Sequence, residues 1–520
     1  MTIYKSPLAD LTLRDLSITD RLFEGLALGK NRALLIDGPS GLSLTGAELR
    51  ARIQSLAGGL AAQGIGSGSV IALMAPNMPD YATIFHGVAY AGATLTTINP
   101  TYTAPEIKHQ LADSGAELLI TIPAFLQVAE AALHGTKVRE IVVIGGAEGH
   151  RSLDDLMGPP MTAQVPVDLD RHVMVLPYSS GTTGLPKGVM LSHRNLVVNV
   201  DQIIEMLEVA NGETSIAFLP FFHIYGMNVL MNAFLSAGAA LVTMPRFDLE
   251  ALLGHIQTHR MEKLLIAPPV AIALAKHPIV DQYDLSSLKI VMSAAAPLGG
   301  EVAEAVARRI GCAVIQGYGM TELSPVTHVV PHRTPRSGSV GVTSPNARTR
   351  IVDPMTGVDC GPDEEGEVWI SGPQVMIGYH NRPEATAQMI VDGWLRTGDL
   401  GVVDADGYLF IRDRLKELIK VKGFQVAPAE VEAELLGVSG VADAAVIGVP
   451  DDDAGELPMA FVVQSPGSDL TEAQVRAALV GKLASYKIPS RVEFIEAIPK
   501  SASGKILRRV LRDRVSGANA

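Results

Sequence analysis

The chain has 520 residues, which is too long for a single average hydrophobic core and predicts two or more domains. Its 42 basic and 55 acidic residues give a net charge of −13, which argues against a general binder of nucleic acids or anionic membranes, since both attract basic surfaces. With only two cysteines, Cys312 and Cys360, the sequence offers neither a disulfide framework nor a cysteine-rich metal site. We therefore expect a reduced, cytoplasmic protein.

The most apolar segments of the chain predict buried strands and helices rather than membrane spans. Residues 70–98 and 264–280 are both interrupted by prolines and by a charged side chain, Asp80 in the first and Lys276 in the second. Residues 1–14 carry several charges and no uninterrupted apolar stretch, so we expect no signal peptide.

The first 340 residues alternate helical patterns with short apolar runs. Helical periodicity covers residues 44–63, 79–91, 105–114, 189–206, 227–237 and 249–258. Strand-like runs cover residues 69–74, 94–98, 117–122, 173–176, 215–219, 240–244, 263–267, 290–293 and 313–316. Such an alternation is typical of an α/β fold with a mostly parallel sheet covered by helices.

From about residue 340 the pattern changes to short strands with glycine-rich turns, at 348–352, 366–371 and 407–411, which predicts a β subdomain. A charged segment, 412–417, then precedes about a hundred residues with a mixed pattern. Strands are expected there at 418–421, 441–449 and 459–464, and helices at 429–436 and 471–483. We therefore predict a large N-terminal domain, 1–413, and a small α+β domain, 414–520, with a hinge at 413–416.

The sharpest local motif is a glycine- and hydroxyl-rich loop at residues 178–189, Tyr-Ser-Ser-Gly-Thr-Thr-Gly-Leu-Pro-Lys-Gly-Val. It follows the apolar run 173–176 and precedes a helical pattern. Its three glycines allow tight turns, while its hydroxyls and backbone N–H groups can cradle phosphate oxygens beside Lys187. It is not the P-loop motif, because Gly188 follows the lysine. The alternative interpretation is a flexible Ser/Gly linker.

Further motifs follow this loop in a fixed order along the chain. They are Phe-Leu-Pro-Phe-Phe-His-Ile-Tyr-Gly-Met at 218–227, Ser-Ala-Ala-Ala-Pro-Leu at 293–298, Gln-Gly-Tyr-Gly-Met-Thr-Glu at 316–322, Gly-Glu-Val-Trp-Ile-Ser-Gly at 366–372, Thr-Gly-Asp at 397–399, Arg-Leu-Lys-Glu-Leu-Ile-Lys-Val-Lys-Gly-Phe-Gln-Val at 414–426, and Pro-Lys-Ser-Ala-Ser-Gly-Lys-Ile at 499–506. Together they resemble the adenylate-forming superfamily of acyl-CoA synthetases, 4-coumarate:CoA ligases, beetle luciferases and peptide-synthetase adenylation domains. The resemblance implies a large N-terminal region of α/β-layered subdomains and a β subdomain, with a small mobile C-terminal domain.

The resemblance implies an ATP-dependent acid:CoA ligase that forms an acyl-adenylate and then a CoA thioester, with ATP, Mg²⁺ and coenzyme A as cofactors or co-substrates. The residues that would hold ATP are Ser179, Ser180, Gly181, Thr182, Thr183, Gly184, Lys187, Gln316, Gly317, Tyr318, Gly319, Thr321, Asp399 and Arg414. Within this set Tyr318 would stack on adenine, and Asp399 and Arg414 would bind the ribose. Glu322 would hold Mg²⁺, which prefers oxygen ligands. A plain turn aspartate is the alternative for Asp399.

The resemblance also implies catalytic roles that local sequence alone would not suggest. Lys505 would bridge the acid and the α-phosphate during adenylation, for which a compact ammonium with three donors is suited. His223 would orient the carboxylate, and Thr321 would contact the α-phosphate. Lys416 matches the hinge about which the small domain rotates. The remaining matches near AMP and the pantetheine arm are Lys420, Gln425 and Gly423.

The acyl pocket implied by the resemblance is mostly apolar. The matching residues are Tyr225, Asn228, Val229, Ala294, Ala295, Ala296, Gly319, Pro325 and Val326. The strings around His223 and at 423–430 look most like 4-coumarate:CoA ligases, but many relatives carry Gly-Gly-Ala-Pro where this chain has Ala-Ala-Ala-Pro at 294–297. Hydroxycinnamates, other aryl acids and medium-chain fatty acids all remain candidate substrates, because a methylene shifts selectivity by only about 1–3 kcal/mol.

Three alternatives stay open from the sequence. Amino-acid activation with transfer to a carrier protein is disfavoured because no aspartate lies between Pro220 and Phe247 and no carrier domain follows. Light emission is disfavoured because Phe222 stands where luciferases usually carry a second histidine. A non-catalytic acyl- or nucleotide-binding protein on the same fold is disfavoured by the intact Glu322 and Lys505. We expect a small carboxylic acid, ATP and CoA as partners, no nucleic acid, no membrane span, and either a monomer or a homodimer.

Overall fold

The computed structural model describes residues 2–179, 186–422, 424–451, 453–501 and 504–517. Within them the chain is a mixed α/β protein of five sheets with helices packed between and around them, which confirms the predicted fold class. The helices are Ile18–Leu28, Gly46–Ala62, Pro79–Tyr90, Ala104–Ser114, Leu126–Ala132, His193–Leu207, Ala233–Ser236, Leu249–His259, Pro268–Lys276, Gly300–Ile310, Pro383–Met389, Pro428–Leu436, Glu472–Leu479 and Arg508–Val515, with a π-helical segment at Tyr225–Asn232. Short 3₁₀ turns occupy Pro123–Phe125, Asp154–Leu156, Pro278–Gln282, Thr321–Leu323 and Ser485–Lys487.

Three sheets, built mainly from the first 343 residues, contain most of the parallel strands. The largest has the spatial order Tyr178–Ser179, Lys187–Ser192, Val173–Val175, Thr94–Thr97, Val70–Met74, Leu118–Thr121, Glu140–Val143, Arg151–Ser152, with Gly378–Tyr379 added beside Lys187–Ser192. A second runs Thr214–Ala217, Ala240–Thr243, Ala33–Asp37, Ser43–Thr45, and a third runs Lys263–Ile266, Ile290–Ser293, Ala313–Gly319, Val326–Val329, Val342–Thr343. Their central strands are largely buried on both faces because helices cover both sides.

The other two sheets are mainly antiparallel. One runs Tyr4–Lys5, Arg348–Val352, Gly366–Ser371, Trp394–Val403, Ile390–Val391, with Leu409–Arg414 beside Trp394–Val403. The last runs Phe424–Val426, Ile419–Val421, Gly455–Gln464, Val441–Asp451, with Arg491–Phe494 beside Gly455–Gln464. The buried apolar side chains of residues 419–511 form clusters of their own. The domain boundary at 413/414 stays a prediction.

Local sequence explains where several helices begin and end. Thr45 and Glu48 form a reciprocal capping box at the start of Gly46–Ala62, which satisfies backbone N–H groups that the first turn leaves unpaired. Ala104–Ser114 begins with another capping box and ends at Gly115, whose φ of 70° suits glycine. No helix of the described residues combines the length and apolarity that a membrane span requires.

The structure differs from the sequence prediction after the glycine-rich loop. A helical pattern was expected from residue 189, but Lys187–Ser192 is a strand, and the helix begins only at His193. The strand forms because its apolar residues pair with Val173–Val175 and with Gly378–Tyr379, a contact from far along the chain that periodicity does not reveal. Ser192 then starts the helix with a capping box to Asn195.

Candidate active site

A cavity of about 530 Å³ lies at the carboxyl ends of the parallel strands, where the β subdomain and the C-terminal residues meet them. The predicted site residues that line it are Ser179, Lys187, His223, Tyr225, Ala294, Ala295, Gly317, Tyr318, Gly319, Thr321, Glu322, Pro325, Val326, Arg414, Lys416 and Lys505. Ligands of open α/β sheets bind at this edge, because the loops that follow the strands converge there. The structure thus brings together residues up to 326 positions apart in the chain, from Ser179 to Lys505.

Other predicted site residues lie away from the cavity lining in this structure. Asp399 and Gln316 are buried behind the wall, as are Asn228 and Val229. Ala296 follows two lining residues without lining the cavity itself. Lys420 and Gln425 are exposed and face each other in register on the hairpin formed by Ile419–Val421 and Phe424–Val426. Ser180, Gly181, Thr182, Thr183, Gly184 and Gly423 lie outside the described residues.

Asp399 is held by two donors at the back of the cavity. The Tyr318 hydroxyl donates to Asp399 Oδ2 at 2.6 Å, and Arg414 Nε lies 3.1 Å from Asp399 Oδ1. Asp399 and Arg414 are direct partners across two antiparallel strands, so sheet register fixes this pair. Burial raises the pKa of the Tyr318 hydroxyl, and the neighbouring Asp399 charge adds to the shift, so the ring keeps its proton and its hydrogen bond.

A buried carboxylate that sequence reasoning missed supports this cluster. Glu367 accepts hydrogen bonds from the Trp369 indole at 2.8 Å, from Arg396 Nη2 at 3.1 Å and from the Gly398 N–H at 3.1 Å. The last bond fixes the turn that presents Asp399. The motif at 366–372 contains this glutamate, but its function becomes visible only when the strand pairs with Trp394–Val403.

Glu322 is a buried carboxylate on the cavity wall with 3% of its surface exposed. The Tyr379 hydroxyl donates to Glu322 Oε1 at 2.8 Å, and the Lys187 ammonium lies 5.1 Å from the centre of the Tyr379 ring. Burial raises the pKa of Tyr379 and the Glu322 charge raises it further, so the phenol remains a donor. Within the described part of the chain no hydrogen bond to Glu322 Oε2 is found, so this oxygen is available to a cation, and one carboxylate plus substrate phosphates is a common arrangement for Mg²⁺. The residues present therefore fit this metal.

Lys505 reaches the cavity from a tight turn near the end of the chain. The Ser501 N–H donates to the Lys505 carbonyl at 2.8 Å, and the Lys505 N–H donates to Ser501 Oγ at 3.1 Å. The pKa of the Lys505 ammonium is lowered to about 8. Burial is the main cause and the Arg414 charge acts in the same direction, while the charges of Asp399, Glu417 and Glu322 oppose the shift. The group is thus mostly protonated at neutral pH, although it is easier to deprotonate than an ordinary lysine.

His223 presents a single N–H group in the cavity. Burial and, as the smaller cause, the positive charge of Lys505 together lower its pKa to about 4, so the ring is neutral at pH 7. Its Nδ1 accepts from the Tyr225 N–H at 3.3 Å, which leaves the single ring proton on Nε2. A neutral ring with Nε2–H is a hydrogen-bond donor for a carboxylate or carbonyl oxygen.

The apolar part of the cavity is lined by Tyr225, Ala294, Ala295, Pro325 and Val326. Burial raises the pKa of the Tyr225 hydroxyl, whose hydrogen bonds to the described residues are two long ones, of 3.4 and 3.5 Å, to main-chain carbonyls. The neighbouring Gly319 allows the wall to approach closely, since a Cβ there would lie 2.0 Å from the Pro325 carbonyl oxygen. The slot is therefore narrow beside Gly319 and apolar beyond it.

Ala295→Gly is expected to stabilise the protein and widen this slot. Ala295 has a φ of 73°, in the left-handed region where a Cβ costs about 1–2 kcal/mol. Relief of that strain should raise the apparent melting temperature by about 1–4 °C, measured by scanning calorimetry. The same variant should favour bulkier acids in a comparison of kcat/KM values. Ala296→Gly, one position on and outside the lining, serves as the control. A lower melting temperature for Ala295→Gly would contradict the expectation.

Helix Ala104–Ser114, which the sequence did not link to the site, holds both ends of the glycine-rich loop. Asp113, on helix Ala104–Ser114, accepts from the Tyr178 hydroxyl at 2.8 Å and pairs with Arg382 at 3.1 Å. One turn earlier, His109 Nε2 lies 3.5 Å from the Pro186 carbonyl. The helix thus holds the residues that flank the loop on either side. A lone aspartate in a helical pattern gives no sequence signal for such a role.

The segment at the predicted hinge is tied to the C-terminal residues. Asp413 accepts from the Arg414 N–H at 2.7 Å and from the Ala429 N–H, at the start of helix Pro428–Leu436, at 3.0 Å. Arg508 pairs with Glu417 at 2.8 Å and with Glu432 at 2.7 Å. These contacts link the segment that contains Lys416 to the helix that follows Lys505.

Comparisons with known proteins assign the chain to a family. The AMP-binding enzyme family matches residues 26–380, and the AMP-binding enzyme C-terminal domain matches residues 430–505. The chain is 42% identical to 4-coumarate–CoA ligase 5 of Oryza sativa subsp. japonica and 42% identical to 4-coumarate-CoA ligase 1 of Narcissus pseudonarcissus, in each case over 99% of this chain and 97% of the relative.

Solved structures give the same result. The anthranilate CoA ligase AuaEII in complex with anthranoyl-AMP superposes with a TM-score of 0.90 at 27% identity, covering 98% of this chain and 99% of that one. ATP-bound MatB from Rhodopseudomonas palustris superposes with a TM-score of 0.87 at 30% identity, covering 97% and 100%. The chain therefore belongs to the AMP-binding enzyme family and, within it, to the adenylate-forming enzymes that resemble 4-coumarate–CoA ligases.

Proposed function

We propose that this protein is an AMP-forming ligase that joins a hydroxycinnamate, another aryl acid or a medium-chain fatty acid to coenzyme A. The observation that carries the proposal is the meeting, in one cavity, of the Lys505 ammonium, the His223 N–H, the Glu322 carboxylate and the Tyr318–Asp399–Arg414 cluster. The full-length similarity to 4-coumarate–CoA ligases supports both the reaction and the aryl acids.

In the first step a carboxylate oxygen of the acid attacks the α-phosphorus of ATP. The bond from the α-phosphorus to the bridging oxygen breaks, which gives an acyl-adenylate and pyrophosphate. Two anions must be held together while charge develops on the transferring group, so positioning and electrostatics account for most of the rate. Lys505 supplies a positive charge between them, and His223 orients the carboxylate through Nε2–H.

The nucleotide is held by groups on either side of these two residues. Asp399 and Arg414 bind the ribose, Tyr318 packs on adenine, and Thr321 contacts the α-phosphate. Glu322 would hold Mg²⁺, which would neutralise phosphate charge when bound. Lys187 and the glycine-rich loop hold the β- and γ-phosphates, where the loop's anchors to Asp113 and His109 fix its two ends.

In the second step the thiolate of CoA attacks the acyl carbonyl and AMP leaves. We propose that the C-terminal domain, 414–520, rotates about Lys416 between the two steps. The rotation withdraws Lys505 and brings the exposed hairpin with Lys420 and Gln425 toward the cavity, with Gly423 beside the pantetheine arm. The exposure of Lys420 and Gln425 in the present arrangement is consistent with a role only after rotation.

The reaction is tested by measuring pyrophosphate release from ATP and Mg²⁺ with 4-coumarate, cinnamate, benzoate, hexanoate, octanoate and palmitate, with and without CoA. Products are identified by mass. We expect release that requires an acid and yields the acyl-CoA when CoA is present. An acyl-adenylate that is not transferred to CoA would indicate another acceptor, such as a carrier protein. Tight ATP binding without turnover of any acid would contradict the ligase.

The rate of adenylation is expected to fall above about pH 8. Lys505 acts as the protonated ammonium, and its pKa of about 8 in the free enzyme means that this form is complete at lower pH and is lost as the pH rises through 8. His223, with a pKa of about 4, stays neutral from pH 5 to 8 and adds no inflection there. The measurement is kcat/KM at low substrate concentrations, which reports free-enzyme groups.

Lys505→Arg provides the control for this profile, because a guanidinium keeps its charge above pH 12. The variant should be slower than the wild type at every pH but should lose the inflection near pH 8. The same inflection in both proteins would assign it to another group and contradict the prediction.

A further inference from the structure

A chain of hydrogen bonds runs through the protein interior from the first helix to the wall of the acyl slot. Thr19 Oγ1 lies 3.2 Å from His86 Nδ1, and His86 Nε2 lies 3.1 Å from Asn232 Oδ1. Asn232 Nδ2 donates to Asn228 Oδ1 at 2.9 Å, and Asn228 Nδ2 donates to the Ser324 carbonyl at 2.7 Å. All five residues have no exposed surface.

Every hydrogen bond in this chain is donated in the direction of Ser324. Asn228 uses its amide N–H on Ser324, so its oxygen accepts from Asn232. Asn232 has then used an N–H, and its oxygen accepts from His86 Nε2–H. Complete burial lowers the pKa of His86 to about 3, so the ring is neutral and carries one proton. Nδ1 is therefore an acceptor, and the Thr19 hydroxyl, which also lies 3.3 Å from the His86 main-chain carbonyl, is placed to donate to it.

The chain ends on a segment of backbone that needs support. Ser324 has a φ of 73°, a left-handed conformation that disfavours any residue with a Cβ. The next two residues, Pro325 and Val326, line the acyl slot. Asn199 holds the far end of this segment by donating to the Val326 carbonyl at 2.7 Å. The near end is held by two hydrogen bonds. Asn228 donates to the Ser324 carbonyl, and the Ser324 hydroxyl donates to the Gln374 carbonyl at 2.8 Å.

Because these residues are fully buried, the support of the Ser324 backbone depends on every residue of the hydrogen-bond chain. A buried amide or imidazole that loses its partner retains the full cost of desolvation, so the remaining groups shift to recover a bond. Loss of Asn232 leaves the Asn228 oxygen without its donor, and rotation of the Asn228 amide would release the Ser324 carbonyl. The first groups to move would be those next to Ser324, at the slot.

We infer that His86 and Asn232 are positioning residues for the acyl substrate, which act through Asn228 on the Ser324–Val326 wall. The inference rests on the proposed function, because it concerns the same acyl slot. These residues should affect acid binding and not nucleotide binding, since the ribose cluster at Asp399 and Arg414 is supported instead by Glu367 and by sheet register. A purely structural role would lower stability without changing selectivity between acids.

The test compares His86→Leu and Asn232→Ala with the wild type in pyrophosphate release with cinnamate and with octanoate. We expect the KM for the acid to rise about five- to fiftyfold, the ratio of the two acid KM values to change, and the KM for ATP to stay within about twofold. His86→Gln, which retains an amide donor toward Asn232, should restore most of the acid KM. Acid KM values that stay at the wild-type level in both truncated variants would overturn the inference.

Thr83→Val is the matched control. Thr83 lies on the same helix as His86 and is equally buried, but its hydroxyl finds no hydrogen-bond partner among the described residues. The control should keep both acid KM values. If it shifts them as much as Asn232→Ala does, general repacking is the cause and the inference fails.

A crystal structure of Asn232→Ala decides the matter independently of turnover. The inference expects the Ser324 carbonyl and Pro325 to move relative to the wild type, and an unmoved wall would refute it. Wild-type protein that releases no pyrophosphate with any acid would count against the proposed function, while the position of the wall would still decide the hydrogen-bond chain.

Discussion

Lys505→Ala is expected to lower acid-dependent pyrophosphate release about a hundred- to a thousandfold, the usual effect of removing one preorganised group that stabilises transition-state charge. Lys505 is the lysine that the C-terminal turn places in the cavity, where its positive charge adds to the effect of burial in lowering the pKa of His223 to about 4. Its charge should matter when the carboxylate meets the α-phosphate. It should matter little when CoA attacks an adenylate that has already formed.

The two half-reactions are measured separately. Adenylation is followed by pyrophosphate release without CoA, and thioester formation by supplying a synthetic acyl-adenylate with CoA. Lys500→Ala is the matched control, since Lys500 precedes the same turn but pairs with Asp443 at 2.5 Å and does not line the cavity. Equal loss of both half-reactions in Lys505→Ala would contradict the assigned role, because the effect would then arise from the fold of the C-terminal domain.

The sequence predicted those parts of the site that lie within short motifs. Tyr318 lies in strand Ala313–Gly319, and Thr321 and Glu322 lie in the turn that follows it, so their shared location could be expected from a continuous string. Lys505 was assigned by resemblance alone, because a lysine in a Ser/Gly-rich turn has no local property that distinguishes it from a solvated one. The structure places it with the other residues but does not test its role.

What the sequence could not predict is mostly the set of contacts between distant segments. Glu322 and Tyr379 are 57 positions apart, and Asp113 and Tyr178 are 65 apart. No pattern in a single sequence links such pairs, since periodicity reports a residue's own element and not its partner. Asn228 shows the same limit, because the motif after His223 suggested a slot residue, while its amide is directed at the Ser324 carbonyl.

Glu322→Gln is expected to lower kcat/KM about a hundredfold and to raise the Mg²⁺ concentration needed for half-maximal rate about tenfold. Glutamine has almost the same shape and can still accept the hydrogen bond from Tyr379, now 2.8 Å from Oε1, so packing is retained while the charge is removed. A neutral amide oxygen is a weaker ligand for a small divalent cation than a carboxylate. The variant therefore isolates the charge.

Tyr379→Phe tests the same site without changing the carboxylate. It removes the hydroxyl that orients Glu322 and leaves the ring below Lys187, 5.1 Å from the ammonium. We expect a smaller fall in kcat/KM, about three- to tenfold, because the variant removes one hydrogen bond and keeps the carboxylate charge. The Mg²⁺ titration distinguishes the two roles, because both variants should shift its midpoint and Glu322→Gln should shift it more. A midpoint unchanged in Glu322→Gln would mean that this carboxylate stabilises the wall of the cavity and that the cation is held by the phosphates of ATP alone.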